Sequence, residues 1–417
     1  MSSEIIKVKA LPIDIKPEAV YNIEQNSPNT FTHSFFKYPC KFIPEIPRWA
    51  ISKYVHTDNC EIYDPFSGSG TTLVEAALMG HRSYGSEIDA TAKLITRAKS
   101  TRLSSAQLRY LENLKGSILS YVSDENNEGI IARINNIEHW FPIATIQELG
   151  RLRFFIEQIT DEAIKEFCLV CFASIIKRVS YCDDISPKPY VSSKISKNPE
   201  AAIKAFDNIF DRYLHLIKEY SGTETVPPTL LPGGALGLDE VEKFDLAITS
   251  PPYINAFDYA RSMRLENLWL GYESEESIRN SKKTYVGTES IEQLKLFGKE
   301  KYLRESTLLH SYLDRIITVD KKRAAITNRF FTDMKRNLEL VHKALKPGCR
   351  YIIVIGNSSI RKVNVESWKV LAEIAQKVGF TNELHFSYYI KNPYIRIPRE
   401  GQGGKINEDH ILVLKKM

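Results

Sequence analysis

No stretch of this 417-residue chain is apolar for long enough to span a bilayer. Its first residues, Met1-Ser2-Ser3-Glu4-Ile5-Ile6-Lys7, contain no apolar signal region. Both absences point to a cytoplasmic protein. Cysteine is scarce: Cys40, Cys60, Cys168, Cys171, Cys182 and Cys349 are scattered without a disulfide-rich pattern, which fits a reducing compartment. Cys168-Leu169-Val170-Cys171 has zinc-ligand spacing, but it has no second pair nearby and lies inside an apolar run of helical character from Phe167 to Ile176. Both cysteines are therefore expected in a core. The nine histidines are dispersed, with no His-Glu-x-x-His run, so no metal is expected. Repeats and low-complexity tracts are also missing, which excludes a solenoid. The formal charge of +5 suits a polyanionic partner without identifying one. With 43% hydrophobic residues, the chain can bury one large core or two modest ones.

What the chain does have begins at the strand-like Cys60-Glu61-Ile62-Tyr63, which leads into Asp64-Pro65-Phe66-Ser67-Gly68-Ser69-Gly70-Thr71-Thr72. Gly68 and Gly70 let the backbone approach a ligand and turn sharply into a helix predicted from Thr71 to about Gly80. The free N–H groups at that helix start suit a carboxylate. A second strand, Arg82-Ser83-Tyr84-Gly85-Ser86, ends in Glu87-Ile88-Asp89. An acid about twenty residues past the glycines is placed to bind two ribose hydroxyls, and Glu87 fits better than Asp89. A nicotinamide dinucleotide would use similar geometry, but its fingerprint needs a third glycine where this chain has Leu73.

The second chemical motif, Ser250-Pro251-Pro252-Tyr253, follows the apolar run Phe244-Asp245-Leu246-Ala247-Ile248-Thr249. Two prolines make a rigid loop that presents acceptors and few donors. The Ser250 hydroxyl and the Pro251 carbonyl suit the hydrogens of an exocyclic amine, and Tyr253 offers a flat face to a base. Alone, the tetrapeptide also reads as an ordinary turn ending a strand. Together the two motifs resemble the S-adenosylmethionine-dependent DNA amino-methyltransferases, in the subgroup acting on cytosine N4.

That resemblance implies a Rossmann-like α/β fold: a mostly parallel seven-stranded sheet with helices on both faces, plus a helical insertion. It implies S-adenosylmethionine held by Asp64, Pro65, Phe66, Gly68, Ser69, Gly70, Thr71, Thr72, Glu87 and Ile88. It also implies a catalytic loop of Ser250, Pro251, Pro252 and Tyr253. The segment His33-Ser34-Phe35-Phe36-Lys37-Tyr38-Pro39-Cys40-Lys41-Phe42-Ile43-Pro44, ahead of a helix predicted from Pro47 to about Tyr54, looks like the family's amino-terminal cofactor motif. Tyr38, Pro39, Lys41 and Phe42 are its expected contacts. Further likeness lies in Asp258-Tyr259-Ala260-Arg261, Leu265–Gly271, Leu345–Gly348, Val354–Ser358 and His410–Lys415. The implied partner is double-stranded DNA, in a restriction-modification or defence setting with a cognate endonuclease. Serine at the first position of the tetrapeptide is typical of cytosine N4 enzymes, whereas Asp or Asn marks most adenine N6 enzymes. Adenine N6, an amino group of RNA, and a non-catalytic scaffold are the alternatives.

One position departs from the family. Ahead of the catalytic strand the family usually has an acid that accepts from the cofactor's adenine amine, but this chain has Leu231-Pro232-Gly233-Gly234-Ala235-Leu236. Backbone groups or a neighbour such as Asp239 are left for that role. Along the chain, residues 1–104 read as the amino-terminal, cofactor-binding part of the core. Residues 105–228 read as a helical insertion whose loop Asp183–Tyr190, with Lys194 and Lys197 following, reads equally as a nucleic-acid contact and as a solvated connector. Residues 229–417 complete the core, with a charged elaboration at 271–327.

Overall fold

The protein is described here by a computed structural model covering residues 5–24, 30–39, 41–186, 188–194, 196–254, 259–291, 294–390 and 407–417. Cys40, Pro187 and Asp258, from the segments above, lie outside these residues. In chain order the strands are β1 (Ile5–Val8), β2 (Val20–Ile23), β3 (Glu61–Asp64), β4 (Arg82–Ser86), β5 (Thr229–Leu231) and β6 (Phe244–Thr249). They continue with β7 (Leu345–Gly356), β8 (Ser358–Ile360), β9 (Val363–Val365), β10 (Phe380–Tyr389) and β11 (Glu408–Lys416).

The main sheet has nine strands in the order β1-β2-β10-β11-β7-β6-β3-β4-β5, and β8 with β9 forms a separate hairpin. This corrects the expected count of seven. The two extra strands are β1 and β2, which add parallel to the edge of β10. Each is only four residues long, too short to give a clear alternation signal. Within the sheet β11 alone runs antiparallel to its neighbours β7 and β10.

Side chains alternate between the two faces of a strand. Ala247, Tyr351, Ile353 and Ile355 pack with the helices Thr307–Ile317, Lys321–Ala344 and Ser367–Val378, while Leu246, Ile248, Ile352 and Val354 pack with Glu45–Tyr54. Burial on both faces is why β6 and β7 read as continuous apolar runs. The helix after the glycines ends at Leu78, and Gly80 takes a positive φ just beyond it.

Between β4 and β5 the chain is helical, with Ser105–Ser123, Ile143–Glu157, Glu162–Ile176 and Ala202–Ser221 as its long elements. Ser104 and Gln107 close a capping box at the first, and Asp161 caps the third. Cys168 and Cys171 are fully buried there, and burial pushes both thiols well up. The Phe35 ring stacks on Tyr213 at 4.3 Å, and the Phe36 N–H donates to the Tyr213 hydroxyl at 2.7 Å, so this bundle grips the segment leading to Tyr38.

A second tie joins the helix Arg264–Leu270 to the start of the helix Ala90–Ser100 that follows β4. Buried Asn267 donates to Asp89 Oδ2 at 2.8 Å and accepts from Thr91 Oγ1 at 2.8 Å. An Asn267→Leu substitution of similar volume strands both groups. Urea unfolding should register a loss of roughly 2–4 kcal/mol; unchanged stability would mean that water reaches the pair.

Candidate functional site

The chain moves outward from β3 to β4 and β5, and from β6 to β7 on the other side. Loops at the carboxyl ends of β3 and β6 therefore diverge and leave a crevice, the usual ligand position in open α/β sheets. A cavity of about 320 Å³ lies there.

The glycine loop forms one wall, with its carbonyls tied down from behind. Thr96 Oγ1 donates to the Gly68 carbonyl at 3.0 Å, and fully buried Lys99 donates to the Ser69 carbonyl at 2.8 Å. Gly70 caps the helix Thr71–Leu78 at a φ of 78°, and a Cβ there would lie 2.8 Å from Thr96. Only glycine fits this position. No side chain caps the helix start, its first turn holds no acid, and buried Ser69 Oγ has no hydrogen-bond partner among the described residues. Lys41 lies on the same cavity, donates to the His33 carbonyl at 2.6 Å, and is pulled down to about 8 by burial and by Arg212.

Glu87 lies at the end of β4. Its carboxylate accepts from the N–H groups of Gly68 (3.0 Å), Ile88 (2.8 Å) and Asp89 (2.8 Å). Burial and then Asp89 push its pKa up to about 7, against the pull of those three N–H donors.

Of the residues singled out in the sequence, Tyr38, Pro39, Lys41, Phe42, Pro65, Phe66, Gly68, Ser69, Thr71, Glu87, Ile88, Ser250 and Pro252 line this cavity together. Asp64, Gly70, Thr72, Pro251 and Tyr253 do not. Asp64 and Thr72 turn inward: the fully buried Asp64 carboxylate accepts from Thr72 Oγ1 at 2.6 Å, Thr249 Oγ1 at 2.6 Å and the Phe66 N–H at 3.0 Å. Burial raises Asp64 to about 6, less far than it would without those donors. Tyr253 is partly buried and packs against the sheet-face core.

Sequence reasoning missed Thr284, Tyr285 and Val286, which close the cavity from the charged elaboration. Nothing in their sequence marks them, because tertiary packing brings them there. Gly233, Ala235, Leu236 and Gly237 also line it, whereas Asp239 does not; its carboxylate is exposed and pairs with Lys343 at 3.2 Å.

Residues 7–98 match the family model of the N6/N4 group, described as DNA methylase. The type II methyltransferase M.MvaI of Kocuria varians is 25% identical over 88% of this chain and 85% of its own length. M.AvaI of Anabaena variabilis is 24% identical over 84% of this chain and 79% of its own. A solved S-adenosylmethionine-dependent methyltransferase from Methanosarcina mazei aligns over 88% of this chain and 97% of its own, at 10% identity and a TM-score of 0.32.

The chain thus resembles the DNA amino-methyltransferases, by the family model over residues 7–98 and by its type II relatives along most of its length. That likeness supports the coarse reaction: a methyl group passes from S-adenosylmethionine to an exocyclic amine of DNA, at N4 or N6. Among the described residues no helix is long and apolar enough to cross a membrane.

Asp64 gives this chain a direct stability test. Asp64→Ala leaves two buried hydroxyls and one N–H without their acceptor, a loss of roughly 2–5 kcal/mol in urea unfolding. A loss under about 1 kcal/mol would show that the donors find other partners.

Proposed function

We propose that this chain methylates the N4 amine of a cytosine rotated out of duplex DNA, and that the cavity between β3 and β6 is where cofactor and base meet. The observation that carries this reading is that Ser250 and Pro252 open on the same cavity as Ser69 and Glu87. The type II methyltransferase names of the relatives support a DNA-modification role.

The residues present fit S-adenosylmethionine. Ser69 Oγ, the uncapped N–H groups at Thr71 and the Lys41 ammonium would hold its carboxylate. Glu87 would accept from the two ribose hydroxyls, and Ile88 with the backbone of Gly233–Gly237 would enclose the adenine where other family members use an acid. When bound, the sulfonium supplies an electrophilic methyl group.

The remaining work falls to the chain. A cytosine amine is a weak nucleophile because its lone pair is delocalised into the ring, and in duplex DNA it is buried in the stack. Stacking on Tyr253 offsets the cost of unstacking by roughly 1–3 kcal/mol. The Ser250 hydroxyl has no side-chain partner among the described residues. It and the Pro251 carbonyl accept the amine hydrogens, draw the nitrogen toward tetrahedral geometry and localise its lone pair. In-line attack then needs no covalent enzyme intermediate. Positioning and fixed dipoles supply the acceleration. Serine is a weak base, so the proton leaves to water after transfer.

Glu87 makes the cofactor assignment testable by pH. Only the ionised Glu87 carboxylate and the protonated Lys41 ammonium make charge-assisted bonds, so affinity for S-adenosylmethionine should be greatest between about pH 7 and 8. It should fall as pH drops through about 7 and Glu87 is protonated, and fall again above about 8 as Lys41 loses its proton. Glu87→Ala should weaken binding by roughly 1.5–3 kcal/mol, and Glu87→Gln should flatten the fall on the acid side. Calorimetry showing wild-type affinity and slope in Glu87→Gln would remove the ribose from Glu87.

The choice of atom is tested by nucleoside analysis of plasmid DNA incubated with the chain and labelled S-adenosylmethionine. The expected product is N4-methylcytosine, formed much more slowly by Ser250→Ala at unchanged cofactor affinity. N6-methyladenine would keep the reaction class and refute the cytosine reading; label found only in RNA would refute the DNA substrate.

A further inference from the structure

Tyr253 needs only its ring to stack on a base, yet its hydroxyl is also engaged. It donates to Oδ1 of Asp409, 156 residues along the chain, at the start of β11. The second oxygen of the same carboxylate accepts from Tyr388 at 2.8 Å. Tyr388 is the residue paired with Asp409 across β10 and β11, and Gly356, with no side chain, is its pair across β7. The carboxylate is thus held from within the sheet by one phenol, while its other oxygen faces the catalytic loop past a strand end that puts no side chain between them.

Asp409 and Tyr388 are 6% and 2% exposed, so neither reaches DNA at the surface. A buried carboxylate is costly unless its oxygens are bonded, and here two tyrosines supply the bonds. If Tyr253 moves, Asp409 Oδ1 loses its donor. That penalty restrains the ring.

We propose that Asp409 is a positioning residue for methyl transfer, with Tyr388 holding its carboxylate so that it fixes the plane of the Tyr253 ring against the flipped base. The proposal rests on the reading of Tyr253 as the stacking surface. It differs from a bare stacking role in requiring the hydroxyl, so Tyr253→Phe should not behave as wild type.

The test uses the full chain and duplex DNA carrying the target site, found by sequencing modified DNA from expressing cells. Tyr253→Phe, on a partly exposed loop, should keep the melting temperature and the S-adenosylmethionine affinity while its single-turnover rate falls about tenfold. Asp409→Leu should fall at least as far. The double variant should be no slower than the slower single one, because both changes cut the same bond. Asp409→Asn keeps an acceptor oxygen and should recover most of the rate lost in Asp409→Leu, which a merely structural role would not require. Should Tyr253→Phe turn over at the wild-type rate while Tyr253→Ala is inactive, the ring matters and the anchor does not; the proposal then falls with the stacking role intact. Should Tyr253→Ala also retain its rate, the stacking role itself falls, and the anchor with it.

Discussion

The buried carboxylate of Asp64 determines how the two working loops lie relative to one another. It sits at the last residue of β3, immediately before the cofactor loop, and accepts from Thr249, the last residue of β6, immediately before Ser250. Its other oxygen accepts from Thr72, on the helix that the glycine loop starts. One side chain therefore joins the end of the cofactor strand, the start of its helix and the end of the catalytic strand. A methyl transfer tolerates little error in the distance between donor and acceptor. A fully buried hydrogen-bonded link between adjacent strands sets that distance more firmly than loops in solvent can.

Around this link the cavity is built from pieces distant in sequence. The segment that carries Tyr38 is gripped by the helical bundle through Phe35, Phe36 and Tyr213. The 284–286 stretch arrives from the elaboration after the catalytic loop, with Tyr285 packed on the bundle's core and Val286 on the sheet-face core. Asn267 ties the helix beyond the catalytic loop to Asp89 and Thr91 at the cofactor side. Each of these contacts ties down an element that builds or flanks the cavity.

Much of this was legible in the sequence, where the chemistry is local. Gly68, Glu87, Ser250 and Pro252, which come together on one cavity, stand out in the sequence because a close backbone approach, an acid placed as the proposed ribose acceptor and a donor-poor turn each need particular residues at short spacing. What was not legible is set by partners far along the chain. Asp64 reads as a cofactor contact until Thr249, 185 residues away, is seen to donate to it. Tyr253 reads as a bare ring until Asp409 appears. The four-residue strands β1 and β2 carry too little periodicity to announce a nine-stranded sheet, and Thr284–Val286 have no signature because their place on the cavity depends on how the elaboration folds back. The missing adenine acid was visible as an absence, whereas the backbone wall at Gly233–Gly237 needed coordinates.

The central claim is that one crevice between β3 and β6 receives both the cofactor and the base. A crystal structure of the chain with S-adenosylhomocysteine tests it most directly. The account predicts the ribose hydroxyls on Glu87, the carboxylate at Ser69 and Thr71, and the sulfur facing the Ser250–Pro252 turn. A product molecule bound elsewhere, or bound here with its sulfur turned away from Ser250, would contradict it.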